Sequence, residues 1–142
     1  MKRAVETHRA AHQAFNKRDW KTLEGMCSPQ MLFEDHPRAI TLKSPSEFID
    51  WLKEWSTGLS DAEVGDDVTY IDGGNYSTAR FTGRGTHDGP MGPIAATGRR
   101  MSMPFCEVLH CDDEGKIVHG EIYYDQMTML VQLGAIDPAV LG

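Results

Sequence analysis

Apolar positions recur at helical spacing at the start of the chain. Ala4, Val5, His8, Ala11, His12 and Phe15 share one face and predict an amphipathic opening helix. Asn16-Lys17-Arg18-Asp19 interrupts it, with Asp19 placed to cap a short second helix holding Trp20 and Leu23. Met31 to Asp35 reads as a short strand, stopped by His36-Pro37 because the residue before a proline avoids helical backbone. Ser44-Pro45-Ser46-Glu47 is a capping box with proline at the first helical position. Phe48, Trp51, Leu52 and Trp55 follow as one apolar stripe facing a core, and Gly58 closes that third helix.

After Asp61 the period shortens to that of strands. Val64, Val68 and Tyr70 fall on one strand and Tyr76, Thr78, Ala79 and Phe81 on its partner, with Gly73-Gly74-Asn75 as the turn. The Gly/Pro-rich segment Gly83 to Gly98 is long for a hairpin loop and reads either as a flap at a pocket mouth or as a plain solvent loop. Ser102 to Cys111 is a long strand, Asp112 to Gly115 a turn, and Lys116 to Asp125 the return strand. Gln126 to Leu133 is a closing helix with Gly134 at its C′ position. Helices followed by an antiparallel meander predict the α+β class. The expected architecture is a curved antiparallel sheet packed on three N-terminal helices around a central pocket, in one domain over residues 1–142.

Composition narrows the function. A formal charge of −7 leaves no basic stripe of the kind phosphate binding needs, so no nucleic-acid partner is expected. No apolar run approaches the ~20 residues of a membrane span. Met1-Lys2-Arg3 is not followed by the apolar core of a signal peptide, so a cytoplasmic protein without a membrane partner is expected. Cys27, Cys106 and Cys111 are odd in number, match no metal spacing and read as buried free thiols. His8 and His12, four apart, have the spacing to grip a metal. Without the glutamate of the zinc-protease pattern they read as partly exposed structural histidines, and no metal is expected.

Alternation on the last two strands points to chemistry. Phe105, Glu107, Leu109 and Cys111 share one face, which leaves Glu107 a lone carboxyl among apolar neighbours. Desolvation there would raise its pKa and suit it to acid–base work; a pairing with an arginine such as Arg80, or a turn to water, is the open alternative. Val118, Gly120, Ile122 and Tyr124 form the apolar face of the return strand, where the Tyr124 hydroxyl is placed to donate to a carbonyl oxygen. Ile117, His119, Glu121, Tyr123 and Asp125 form a mixed outer face that suits a dimer contact. His36 falls at the expected pocket rim as a base, and His87 on the flap is a second candidate. Phe33, Trp51, Trp55, Phe105, Leu109 and Ile122 complete the expected lining, with His87 beside them.

Gly115-Lys116-Ile117-Val118, Tyr123-Tyr124-Asp125-Gln126 and Leu130-Val131-Gln132-Leu133-Gly134 resemble the C-terminal signature of SnoaL-like polyketide cyclases. Gly85-Thr86-His87-Asp88-Gly89 with Thr97-Gly98-Arg99 resembles that family's central motif, and Phe33 to Pro37 its first strand. The resemblance implies the nuclear transport factor 2-like cone, shared with ketosteroid isomerase. It puts the cyclases' catalytic aspartate at Ile122 and a pocket histidine at Glu107. The ketosteroid isomerase likeness puts that enzyme's base at His36 and its acid at Glu107. The expectation is therefore a cofactor-independent cyclase, isomerase or dehydratase acting on a small hydrophobic carbonyl compound. His36 would be the base, with a protonated Glu107 and Tyr124 steadying the enolate, in a homodimer joined through the sheet. A pocket that binds without turnover is the alternative.

Overall fold

The computed structural model describes residues 3–142; Met1 and Lys2, where the opening pattern begins, lie outside the described residues. Helix α1 (Ala4–Asn16) buries Ala4, His8, Ala11 and His12 of the predicted stripe together with Thr7 and Ala14, while Val5 and Phe15 are only half-buried. Helix α2 (Trp20–Gly25) starts where Asp19 accepts the Thr22 N–H at 3.2 Å. Helix α3 (Pro45–Gly58) begins at Ser44, whose Oγ accepts the Glu47 N–H at 3.1 Å. The reciprocal half of the box is displaced by one residue, since Glu47 Oε1 takes the Lys43 N–H at 3.2 Å.

The strands are β1 (Cys27–Asp35), β2 (Ile40–Leu42), β3 (Glu63–Val64), β4 (Thr69–Gly73), β5 (Tyr76–Thr86), β6 (Arg100–Cys111) and β7 (Ile117–Tyr124). They form one seven-stranded sheet in the order β2-β1-β7-β6-β5-β3, with β4 also paired to β5. Every pairing is antiparallel except β1 with β7, which is parallel. That one parallel pair places the first strand beside the last. Gly74, at φ +79°, makes the tight β4–β5 turn the sequence predicts. Helix α4 (Gln126–Gln132) ends in a Schellman motif: Gly134 (φ +77°) and Ala135 return their N–H groups to Val131 and Leu130. A 3-10 turn (Pro138–Leu141) closes the chain.

Four expectations are corrected. Val64, Val68 and Tyr70 do not share one strand: β3 ends at Val64, β4 begins at Thr69, and Val68 lies between them. The first strand is longer than Met31–Asp35, because pairing to β7 extends it back to Cys27. The flap does not begin at Gly83: β5 runs on to Thr86, and Gly83 lies so close under the Phe105 ring that a Cβ would sit 3.1 Å from it. The remaining 87–99 loop is tied down by His87 N–H to Arg99 O and by Gly89 N–H to Gly58 O, and it rests on the end of α3. A bulge between His110 and Cys111 turns Ile117 inward, so Ile117 belongs to the core and not to the outer face. Cys27 and Cys111 are buried as expected, whereas Cys106 is only half-buried; burial pushes the Cys27 thiol up to about 12. Among the described residues no helix is long and apolar enough to cross a membrane.

Candidate functional site

Strand register lines up four inward positions across the sheet. Asp35 on β1 pairs with Ile122 on β7, Ile122 with Glu107 on β6, and Glu107 with Ala79 on β5. Two carboxylates therefore flank one isoleucine. Helix α1 lies over Glu107 and α3 over Asp35, so each acid meets a different set of donors.

At Glu107, His8 and His12 lie one turn apart on α1, their rings tilted 56° to each other, and both bring Nε2 within 2.8 Å of the same oxygen, Oε1. His8 Nδ1 lies 2.8 Å from Ser77 Oγ, and His12 Nδ1 lies 2.8 Å from the Tyr70 hydroxyl. An ionised carboxylate has no proton to give, so both Nε2 atoms carry hydrogen. Each Nδ1 then accepts from its hydroxyl when the ring is neutral and donates to it when the ring is protonated. Burial alone would push the Glu107 pKa up, as the sequence suggested. The hydrogen bonds and charge of His12 and His8 outweigh it and hold the carboxyl at about 2. Glu107 is thus an ionised acceptor, not the protonated donor expected. Burial, only partly offset by Glu107, holds the His8 pKa down.

Glu107 and His12 form the polar end of a cavity of about 90 Å³. Trp51, Trp55, Phe81, Phe105, Leu109 and Ile122 are among its apolar walls, so the expected lining is assembled in five of its members, Trp51, Trp55, Phe105, Leu109 and Ile122. The Phe105 ring packs edge-on against Trp55 and Phe81 at 5.9 and 5.5 Å between centroids. Glu107 Oε2 takes no hydrogen bond from any described residue.

The other candidates fall elsewhere. His36 is exposed on the outer face, its ring stacked 4.6 Å from Tyr123 and its Nε2 3.4 Å from Glu121 Oε1. With Met31, Phe33 and Asp35 pointing in, a period of two sends Leu32, Glu34 and His36 out. Tyr124 points inward but gives its hydroxyl to Asp35 at 2.9 Å and does not line the cavity. Burial, reinforced by Asp35, pushes its pKa up. Phe33 is fully buried behind the wall, between Phe48 and Trp51. His87 is fully buried in its own loop, with Nδ1 2.8 Å from Thr97 Oγ1, and lines no part of the cavity. Arg80, the open partner for Glu107, sits 3.8 Å from Asp67 instead.

Sequence reasoning missed Asp35, and it missed His8 and His12 as site residues. Asp35 is fully buried and accepts from Trp51 Nε1 at 3.1 Å and from Tyr124, with Arg38 3.7 Å away. Its signal was present: it stands two residues beyond Phe33 on the same face. The histidines are buried, His8 completely, and not partly exposed. Their helical spacing was visible, but their third partner lies 95 residues beyond His12. The ligand atoms of His8, His12 and Glu107 lie within 4.8 Å of one another, as do those of Glu34, His36 and Glu121 outside. Both triads are donor sets a divalent cation accepts, and in the inner one the ring N–H groups are already satisfied by the carboxylate.

Residues 5–133 match the family model described as SnoaL-like polyketide cyclase. The chain has no match among curated protein sequences. Among solved structures it is similar to IdmH of Streptomyces antibioticus, a proposed polyketide cyclase: 22% identity, TM-score 0.79, covering 92% of this chain and 98% of that one. It is also similar to AclR of Streptomyces galilaeus, a proposed hydroxylase: 20% identity, TM-score 0.80, 94% and 96% covered. A third likeness is a protein from Catenulispora acidiphila DSM 44928 with a ketosteroid isomerase-like fold, in complex with trimethylamine: 17% identity, TM-score 0.77, 92% and 94% covered. At these identities the likeness shows the fold alone.

Proposed function

The chain belongs to the SnoaL-like polyketide cyclase family, and on that premise we propose that it seats a small, largely apolar carbonyl compound against Glu107 and moves a proton on the carbon beside the carbonyl. The observation that carries this reading is a single one. An ionised carboxylate, fixed through one oxygen by two buried imidazoles, stands at the end of an apolar cavity with its second oxygen free. A C–H bond of the ligand would break, its proton passing to Glu107 Oε2 and its electron pair to the carbonyl oxygen as an enolate; return of the proton to another atom completes an isomerisation or sets up ring closure. A carboxyl held at about 2 is a weak base, so the reading favours an activated C–H, such as one between two carbonyl groups. Fixing Oε1 costs no reorganisation during the step, which is what preorganisation requires. His8, His12, Ser77 and Tyr70 act as positioning residues.

Ile122 at the cyclase aspartate position favours a second reading, a pocket that binds without turnover. Solvent exchange of the acidic C–H of an aryl β-keto ester, followed by NMR in heavy water, separates the two. Wild type should accelerate exchange, and Glu107→Gln should lose about 100-fold or more of that rate. Saturable binding of the ester with wild-type exchange equal to the buffer rate would establish the second reading.

The outer face is the surface we propose for pairing with a second copy. Leu32, Tyr76 and Tyr123 are exposed there, beside the His36–Glu121 and His119–Glu34 pairs.

A further inference from the structure

A cavity of about 90 Å³ is smaller than the roughly 150 Å³ engineered void that takes one benzene ring. A compound larger than a ring or so must extend out of it. Next to it lies an open groove of about 560 Å³ between α1 and the β3–β4 edge, and His12, Glu63, Val64 and Arg84 line both spaces. Together they reach the roughly 300–1,000 Å³ usual for a small-molecule site. The shared lip is held in place. Asn16 exchanges hydrogen bonds with Val64 N and O at 2.9 and 3.0 Å, and Arg84 Nε is 2.8 Å from Glu63 Oε1.

The charged groups facing the groove are Arg9, His12, Glu63, Asp66 and Arg84, with Tyr70 beside them. Glu63 and Arg84 neutralise each other; Asp66 is fully exposed, 3.9 Å from Arg84. Arg9 is the exception. Its guanidinium lies 4.5 Å above the Tyr70 ring, and it has no anionic partner among the described residues. Tyr70 in turn holds His12, so a cation without a counter-ion stands one side chain away from the Glu107 cluster, outside the apolar space.

From this we infer that the ligand has two parts: an apolar ring seated in the cavity, and a carboxylate on a short spacer that lies in the groove and pairs with Arg9. This rests on the proposed function, because it assumes that the ring occupies the cavity. It adds the chemical class of the remainder, a carboxylate-bearing tail on that carbonyl compound rather than a neutral one.

The test uses 3-(2-naphthyl)propionate and its primary amide, titrated against the whole chain and read by quenching of the Trp51 and Trp55 fluorescence. The acid should bind about 10-fold more tightly than the amide, in line with a charge-assisted hydrogen bond. Arg9→Gln should bring the acid down to the affinity of the amide and leave the amide unchanged, and the preference should shrink at high salt. Equal binding of acid and amide, or an Arg9→Gln variant that weakens both alike, overturns the anionic subsite and leaves the cavity standing. Failure of both probes to bind overturns the cavity reading itself.

Discussion

At the scale of single residues, Glu107 decides the character of the site. Its neighbours along the strand are apolar, and by themselves they would neutralise it; two imidazoles from α1 reverse that. The consequence for stability has a definite sign. The folded carboxyl titrates near 2 against an ordinary 4.5, so its contribution is complete above about pH 4.5 and is lost as pH falls towards 2. His8, held below its ordinary 6.5, acts in the same direction: the unfolded chain takes up a proton below 6.5 that the folded chain resists. Thermal melts should therefore show a midpoint that declines as pH drops below about 6.5 and declines again below 4.5. Glu107→Gln should cost about 1–3 kcal/mol at pH 7, since the ring N–H groups lose a charged acceptor, and should show a shallower lower decline, the remainder coming from the surface aspartates that also titrate below their ordinary value. Superimposable pH curves for the two proteins would refute this account of the cluster. The amino-acid order showed that Glu107 points inward, but it could not show what meets it there.

At the scale of elements, packing between β7 and β1 leaves no room for an added methyl group. A Cβ added at Gly120 would stand 2.4 Å from Phe33 Cδ2 and 3.0 Å from Leu109 Cδ2. Phe33 has no space to retreat, being fully buried against Phe48 and Trp51. Gly120→Ala should destabilise by about 1–3 kcal/mol, and adding Phe33→Leu should recover part of the loss; denaturant melts measure both. An unchanged midpoint for Gly120→Ala would mean that the strands separate more easily than this packing implies. The helices were legible because their signals are local: Asp19 and Ser44 as caps, the Phe48–Trp51–Trp55 stripe, and Gly134 after α4. The 87–99 loop was not legible as an anchored segment. Its ties are backbone bonds to Arg99 and to Gly58 at the end of α3, together with the Asp88 carboxylate accepting from Ser60, and such partners lie too far along the chain for local spacing to show.

At the scale of the whole molecule, the sheet separates an inner face that carries the cavity from an outer face of aromatic and His–Glu pairs. If two copies meet through that outer face, Tyr123→Asp, which puts a charge beside Glu121, should shift the chain to a sedimentation coefficient of a monomer, with the β-keto ester exchange rate retained. A wild type that sediments as a monomer at high concentration would remove the proposal. Local pattern determined a good deal of this protein. The helix limits, the inward phase of Glu107 and the helices-then-meander order follow from spacing, because caps and strand alternation act over a few residues. Tertiary structure alone decided the chemistry. Parallel pairing of β1 with β7 set Asp35, Ile122 and Glu107 in one row, and the docking of α1 delivered His8 and His12 to a carboxylate some hundred positions away. Contacts at such separation depend on how layers stack, and no periodicity along the chain encodes that.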